Sequence, residues 1–461
     1  MSTRHAIVVD LGSSSGRVVI ASLAGEEFTT TEVYRFPHHA REVNGTLVWE
    51  IDQLVDGVIT GLQAANSHLD GAAATVAIDT WGVDYVCLDA NGDRVGPVVC
   101  YRDARTQRTA SQVPLSAERH FALTGVQPEA ITTARQLFAQ VTEDPHAFDD
   151  VASILLLPDY VGYRLTGVQA WSPTILSTSA LAVPGGTAWA EEVFEALKIP
   201  RRLVGEPGAV SAPLTVPGLE HFTLVSGGSH DTACAVHGLG LTEGEAFLSC
   251  GSWSLVGCVL DAPFVTDSVF ELGFTNEVCT DGKIRMLQNL TGLWILQQCC
   301  RIFEQQGKTS DIATLVAQAA ECPDPGVRID TTEPVFAVPG DYPAIVSEML
   351  VEAGVEKHDD PALIVRVVTE SLAMTHVEAL RNLEKAVGIS MSRVRMIGGG
   401  VRNELLCQLT ANWCGIPVIA GPQEGTALGS AIAQFEAQGV ARQEVLAAAA
   451  KSIQTVVYQP Q

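Results

Sequence analysis

The chain turns on the stretch Ala6-Ile-Val-Val-Asp-Leu-Gly-Ser-Ser-Ser-Gly-Arg-Val-Val-Ile-Ala-Ser22. Ala6 to Val9 is a short apolar run, the pattern of a buried strand, and Val18 to Ala21 reads as its antiparallel partner. Gly12, three serines and Gly16 make the connection a tight turn, dense in backbone N–H groups and hydroxyls. Such a turn can aim several donors at one anion, as Gly-rich loops do around phosphate. Asp10 closes the first strand and sets a carboxylate beside the turn. That place suits hydrated magnesium, which keeps its waters and takes few protein ligands. The same residues equally describe a Gly/Ser hairpin with an ordinary Asp at a strand end.

Outward from this stretch, the 461 residues exceed what one core holds and predict two or three domains. The formal net charge of −25 opposes nucleic acid and anionic membranes, so neither is an expected partner. An anionic co-substrate then needs local help from loops and a metal. Residues Met1 to His5 show no apolar signal region, and no run of about 18 apolar residues occurs, so the expected location is the cytoplasm. Eleven cysteines without scaffold-like spacing are read as reduced. Neither Cys299-Cys300 nor the Cys407/Cys414 pair has zinc-ligand spacing.

Thr31 to Phe36 and Leu47 to Glu50 continue the strand pattern. Ile51 to His68 carries Leu54, Val55, Val58, Ile59, Leu62 and Ala65 at helical spacing. Val76 to Thr80 reads as the next strand and runs into Asp79-Thr-Trp-Gly-Val-Asp84. Tyr85 to Leu88 and Val95 to Val99 flank an Asn-Gly turn and predict a hairpin. Hairpins followed by helices imply a mixed sheet, not a Rossmann unit. From about Arg105 to Pro217 the pattern is helices and irregular segments. Three glycines within His237 to Gly244 mark a domain boundary and hinge, dividing residues 1–238 from 239–461.

Beyond the boundary the opening pattern returns: Ala246 to Leu260 is again strand, Gly/Ser turn, strand, with Cys250-Gly-Ser252 at the turn. Two such turns, each opening one half, predict a duplicated fold. Pro361 to Val387 is a long helix capped by Asp360. Val394 to Ile397 leads into Gly398-Gly-Gly400, where absent side chains let a flat ring approach the backbone, or simply make a turn. Two motifs are decoys. Gly307-Lys-Thr-Ser310 has Ile302 where a Walker loop needs glycine, and Gly238-Leu-Gly240 lacks the last glycine of a dinucleotide fingerprint.

Ser226-Gly-Gly-Ser-His-Asp-Thr232 follows the apolar run Phe222 to Val225 and opens an Ala-rich helix. Asp231 at its start is either a helix cap or a base accepting a proton from a substrate hydroxyl. A helix N-terminus depresses a carboxylate pKa, so its work as a base would be positioning and late proton acceptance.

Taken in order, Asp10-Leu-Gly-Ser-Ser-Ser-Gly-Arg17, Asp79 to Asp84, Tyr101-Arg-Asp-Ala-Arg-Thr106, Leu157-Pro-Asp-Tyr160, Ser229-His-Asp-Thr232 and Gly398-Gly-Gly-Val-Arg-Asn403 resemble the FGGY-type carbohydrate kinases from residue 6 to residue 433. The resemblance implies two ribonuclease-H-like α/β domains of the actin/hexokinase type with a catalytic cleft between them. It implies ATP as co-substrate, Mg2+ as cofactor, and transfer of a phosphoryl group to the 1-hydroxyl of a ketose, L-rhamnulose ahead of L-fuculose or D-xylulose. A sugar-binding regulator without turnover is the alternative of another class.

The resemblance also assigns roles to residues. Ser13, Ser14, Ser15, Gly16 and Arg17, with Ser252, Gln297, Gly399 and Gly400, would bind ATP, and Asp10 would support the metal. Asp231 would be the catalytic base, with Gly82, His230, Thr232 and Asn289 also on the sugar. Cys250 stands where a serine is expected, with Ser252 keeping the hydroxyl of the turn. Trp81-Gly82 would offer an apolar wall to a terminal methyl. The expected assembly is a monomer or small homo-oligomer.

Overall fold

The computed structural model describes residues 3–324, 326–337, 340–356 and 359–461. It divides into two compact units. The first comprises Met1–Gly240, Leu260–Met286 and Thr426–Ser452; the second comprises Leu241–Val259, Leu287–Gly425 and Ile453–Gln461.

The first unit grows from the opening hairpin. β1 (Arg4–Leu11) pairs antiparallel with β2 (Ser15–Ala24), with Asp10 opposite Arg17. β3 (Glu27–Pro37) continues the sheet beside β2, and β4 (Ala40–Val43) and β5 (Thr46–Trp49) form a separate hairpin. Helix α1 (Ile51–His68) then carries the chain over to β6 (Thr75–Thr80), which lies parallel to β1. The strands Thr223–Val225 and Ser211–Pro213 extend the sheet beyond β6. Antiparallel hairpin strands beside parallel crossover strands make this the mixed sheet of a ribonuclease-H-like unit.

α1 buries Leu54, Val55, Val58, Leu62 and Ala65 as its spacing predicts. Each fully buried valine or leucine contributes about 1.5–3 kcal/mol. Two glycines on the helix set how closely it lies on the sheet. A Cβ on Gly61 would stand 2.4 Å from Val18 Cγ2, and one on Gly57 would stand 2.6 Å from the Phe36 ring. A second close crossing joins the helices Asp231–Leu239 and Gly425–Ala437, where a Cβ on Gly429 would fall 1.7 Å from the Cys234 carbonyl oxygen. Gln434 on the latter helix donates to the Ile7 carbonyl at 3.1 Å and accepts from Thr75 Oγ1 at 2.8 Å. These contacts fix the helix that carries Asp231 against β1 and β6.

The second unit repeats the plan. Glu245–Cys250 pairs antiparallel with Trp253–Leu260 across the Gly251-Ser252 turn. The same first strand lies parallel to Arg393–Ile397, which is followed by parallel Val418–Ala420 and antiparallel Val456–Tyr458. The 27-residue helix Pro361–Val387 has the predicted limits, with the Asp360 carboxylate accepting from the Ala362 N–H. Asn403 caps the helix Glu404–Cys414 in the same way, accepting from Leu406 N–H at 2.9 Å.

Two expectations need correction. Tyr85–Leu88 does not form a hairpin strand pair with Val95–Val99. Its ladder partner is Ser153–Leu156, and Val98–Val99 pairs with β5. The Asn-Gly turn survives locally, closed by Asp89 N to Asp93 O at 2.9 Å and Val95 N to Cys87 O at 2.8 Å. The apolar run Ile154–Leu156 lies in a stretch whose pattern suggests helix or irregular structure, and burial on both faces hides its strand period. Among the described residues all eleven cysteines are unpaired in disulfides, eight of them buried.

Candidate active site

In the first unit three motifs meet because β6 ends beside the start of the Asp231 helix. Thr80 N–H donates to the Ser229 carbonyl at 3.2 Å, and Thr80 and His230 form an isolated parallel bridge. Gly82 follows two residues after Thr80. A Cβ there would sit 3.0 Å from Thr178 Oγ1 and 3.4 Å from His230 Nε2, so any side chain at this position would crowd Thr178. The next residue, Val83, adopts φ of 71° while Asp84 N–H bonds the Gly82 carbonyl at 3.0 Å. That is a strained turn for a β-branched residue. It is held by Thr178 Oγ1 on the Val83 N–H at 3.3 Å and by Thr133 Oγ1 and Gln136 Nε2 on its carbonyl at 2.7 and 3.2 Å. Strain retained this way is typical of functional positions.

Trp81 does not supply the expected apolar wall. It is 7% exposed and belongs to the core. Its indole N–H donates to Asp84 at 2.8 Å, as that of Trp49 does at 2.6 Å, and its ring stacks on His38. The two indole donors favour the carboxylate form of Asp84, yet burial is the larger effect and pushes its pKa up to about 6.

Asp231 is the first residue of the helix Asp231–Leu239, with His230 in the cap position. Its Oδ1 accepts from Thr232 N–H at 2.5 Å and Thr232 Oγ1 at 3.0 Å, so Thr232 is turned onto the carboxylate. His230 Nε2 lies 3.4 Å from the same oxygen. The depressed pKa expected from the helix end is not found. Burial first, and then the charge of Asp10, push Asp231 up to about 6 against the Thr232 bonds and Arg285. Desolvation and a like charge outweigh the helix terminus.

At the phosphate-type turn, Ser13 and Ser14 are exposed, Ser15 is half-buried and Gly16 is buried. A Cβ on Gly16 would meet the Phe36 ring at 2.4 Å. Arg17 donates to Asp10 Oδ2 through Nε at 2.8 Å and Nη2 at 2.5 Å. Asp79, the register partner of Asp10, is fully buried and neither carboxylate oxygen has a hydrogen bond of ordinary geometry, the Ser430 hydroxyl being the donor near it. Burial, then Asp10, then Asp231 raise its pKa well above the ordinary range. Among the described residues no three His, Cys, Asp or Glu side chains are grouped to hold a metal directly. A buried carboxylate without a hydrogen bond of ordinary geometry, beside Asp10 and Asp231, nevertheless fits a hydrated divalent cation that brings most of its own ligands.

In the second unit Ser252 Oγ donates to Gln297 Oε1 at 3.1 Å, joining two of the residues assigned to nucleotide. Ser252 is exposed on its turn, where the Gly292 N–H donates to its carbonyl at 3.1 Å. Gly399 is exposed. Gly400 is buried, and a Cβ on it would lie 2.5 Å from Cys250 Sγ. Gly398 likewise has φ of 84° and would meet the Cys250 carbonyl oxygen at 2.8 Å. These glycines let the two turns of this unit pack on each other. Burial pushes the Cys250 thiol up to about 11, which keeps it unreactive. Asn289 also lies in this unit, half-buried on the strand Ile284–Thr291.

A cavity of about 490 Å³ in the first unit, lined among others by Tyr85, Asp103, Arg105 and Gln140, takes Asp103 and Arg105 from the Tyr101–Thr106 motif but none of the residues given a role in binding or catalysis above. Three residues around Asp231 and His230 have no assigned role in the sequence reading: Asp79, Glu277 and Arg285. Asp79 is visible inside its motif, in register with Asp10. Glu277 and Arg285 are the single charges of the strands Thr275–Val278 and Ile284–Thr291 and give no periodic signal.

Residues 5–238 match the N-terminal domain of the FGGY family of carbohydrate kinases, and residues 246–437 match its C-terminal domain. The chain belongs to the FGGY family of carbohydrate kinases. It is 35% identical over 441 residues to a rhamnulokinase of Klebsiella pneumoniae, an alignment covering 93% of this chain and 89% of that one. In fold it is similar to a gluconate kinase from Lactobacillus acidophilus, with TM-score 0.82, 14% identity, and 100% and 94% of the two chains covered. A xylulose kinase from the same organism gives 0.81 at 14% identity, covering 99% and 94%. This FGGY kinase is therefore an ATP-dependent sugar phosphotransferase with two α/β domains, which removes the regulator without turnover as a reading. None of its described helices is long and apolar enough to cross a membrane.

Proposed function

We propose that this kinase transfers the γ-phosphoryl group of ATP to the 1-hydroxyl of L-rhamnulose, in the cytoplasm. The observation that carries the reaction chemistry is the Gly82–His230–Asp231 cluster: a residue without a side chain and an imidazole beside a carboxylate whose pKa lies near 6. Near neutral pH Asp231 is ionised and still basic enough to accept the hydroxyl proton as the oxygen bonds to phosphorus. The choice of sugar rests on similarity to the Klebsiella rhamnulokinase over nearly the whole chain.

On this reading Gly82, His230, Thr232 and Asn289 orient the sugar. Thr232 acts partly through Asp231, because its hydroxyl bonds that carboxylate. Ser13 to Arg17 and Ser252 take the ATP phosphates, with Gln297, Gly399 and Gly400 on the rest of the nucleotide. Asp10, with Asp79 and Asp231 near it, would hold Mg2+, which when bound offsets charge on the phosphates. Arg17 must exchange part of its bond to Asp10 for phosphate. A related FGGY kinase acting on another deoxyketose or ketopentose, L-fuculose or D-xylulose, is the second reading.

Incubation with ATP, Mg2+ and L-rhamnulose, followed by 31P and 13C NMR of the product, tests the proposal. It expects phosphorus coupled to C1. Phosphate on another carbon, or no product, would overturn it.

A further inference from the structure

Arg285 is the largest fully buried side chain of the first unit, with no solvent exposure. Nη1 donates to the Val278 carbonyl at 2.7 Å. Nη2 has two hydrogens and two partners, the Glu277 carboxylate and Nδ1 of His230. A guanidinium only donates and does not lose its proton in proteins. Nδ1 of His230 must therefore be the acceptor, bare of hydrogen. A neutral imidazole then carries its one hydrogen on Nε2.

Nε2 is the nitrogen 3.4 Å from Asp231 Oδ1, and it faces the space left by the missing Cβ of Gly82. The geometry points to Arg285, held in place by Glu277, as a positioning residue that fixes His230 as the Nε2–H tautomer. The ring then offers the sugar one donor and no acceptor. This rests on the reading that His230 faces the sugar. Burial and the Arg285 charge both lower the His230 pKa well below its ordinary value, so the ring stays neutral.

The pairing has a consequence for recognition. Asp231 accepts a hydrogen while His230 supplies one, so the sugar must present a hydroxyl hydrogen next to an oxygen with a free lone pair. An analogue with a hydrogen but no acceptor at the second place leaves the Nε2–H without a partner, and buried donors left unpaired are costly. A His230 free to change tautomer would tolerate either arrangement.

The test is 15N NMR of the full-length, histidine-labelled protein without sugar, with His230→Gln assigning the signal. Nδ1 should be unprotonated and Nε2 protonated near pH 7.5, with the ring neutral. Arg285→Met should release the tautomer or restore titration and raise the sugar KM about tenfold or more, with the ATP KM unchanged. Arg285→Lys, which keeps one charged donor, should restore the spectrum in part. An Nδ1–H tautomer or an ordinary titration in the parent protein overturns the proposal, and that spectrum needs no variant to fold. So does Arg285→Met with spectrum and sugar KM unchanged. Because the spectrum is taken without sugar, an error in the sugar's identity would leave it untouched.

Discussion

Asp10 and Asp79 are register partners on adjacent parallel strands, so their carboxylates stand side by side on one face of the sheet. One is bonded twice by Arg17, and the other has no hydrogen bond of ordinary geometry. Two carboxylates this close, one fully buried, are tolerated when a proton or a cation offsets the charge. Asp10→Asn should therefore raise the Mg2+ concentration needed for half-maximal rate by roughly tenfold or more, with sugar binding in the absence of nucleotide little changed. A magnesium titration of initial rate checks it. An unchanged midpoint would remove Asp10 from the metal site.

Asp231→Asn should lower kcat by on the order of 100-fold or more, since the amide cannot take a proton, while ATP and sugar still bind. Single-turnover kinetics beside equilibrium binding separate the two effects. Near-normal turnover would leave Asp231 a structural residue at a helix start.

The pH dependence follows from the same group. Asp231 works when ionised, and its pKa is raised to about 6. The plot of log kcat/KM against pH should be flat above about pH 7 and fall with unit slope below about 6. The residual activity of Asp231→Asn should lack this limb. A parent enzyme holding full kcat/KM at pH 4.5 would contradict the assignment.

Gly82→Ala tests the proposed role of Gly82 beside the sugar. The added methyl would press on Thr178 Oγ1 at 3.0 Å and approach His230 Nε2 at 3.4 Å. The sugar KM should rise about tenfold, with the ATP KM unchanged. Equal rises in both would place the effect in folding rather than at the sugar.

Asp159 offers a prediction about stability. It is buried, accepts from Ser172 N–H at 3.1 Å and Ser172 Oγ at 2.5 Å, and burial pushes its pKa up to about 7. A carboxyl raised in the folded state holds its proton where the unfolded chain has already lost it. Stability is therefore lost as pH rises from about 4 to 7, by about 1.4 kcal/mol for each pH unit in that window. Asp159→Asn should be the more stable form at pH 8, and its advantage should shrink toward pH 5. Thermal unfolding at both pH values measures this, and a constant difference would contradict it.

Much of this architecture is legible in the sequence because local signals agree with one another. The turn of Gly12 to Gly16 has flanking strands on both sides, and Pro361 and Asp360 fix the start of the long helix within a residue. Ser153–Leu156 is not legible, since a strand buried on both faces has no alternation. Trp81 misleads because a motif gives neighbours in sequence, not the direction of a side chain; Asp84 and His38 turn it into the core. The pKa of Asp231 escapes the sequence for a related reason. The helix end is visible there, but the burial and the Asp10 charge that outweigh it are brought by the fold.

The most direct test of the central claim is a comparison of kcat/KM for L-rhamnulose, L-fuculose, D-xylulose, L-ribulose and glycerol with saturating ATP and Mg2+. A site that pairs sugar hydroxyls rejects a misplaced one by about 1–3 kcal/mol, roughly 5- to 150-fold. L-Rhamnulose should lead every other sugar by about tenfold or more. L-Fuculose or D-xylulose ahead by that margin would contradict the assignment and leave a sugar kinase of the same family with a different substrate.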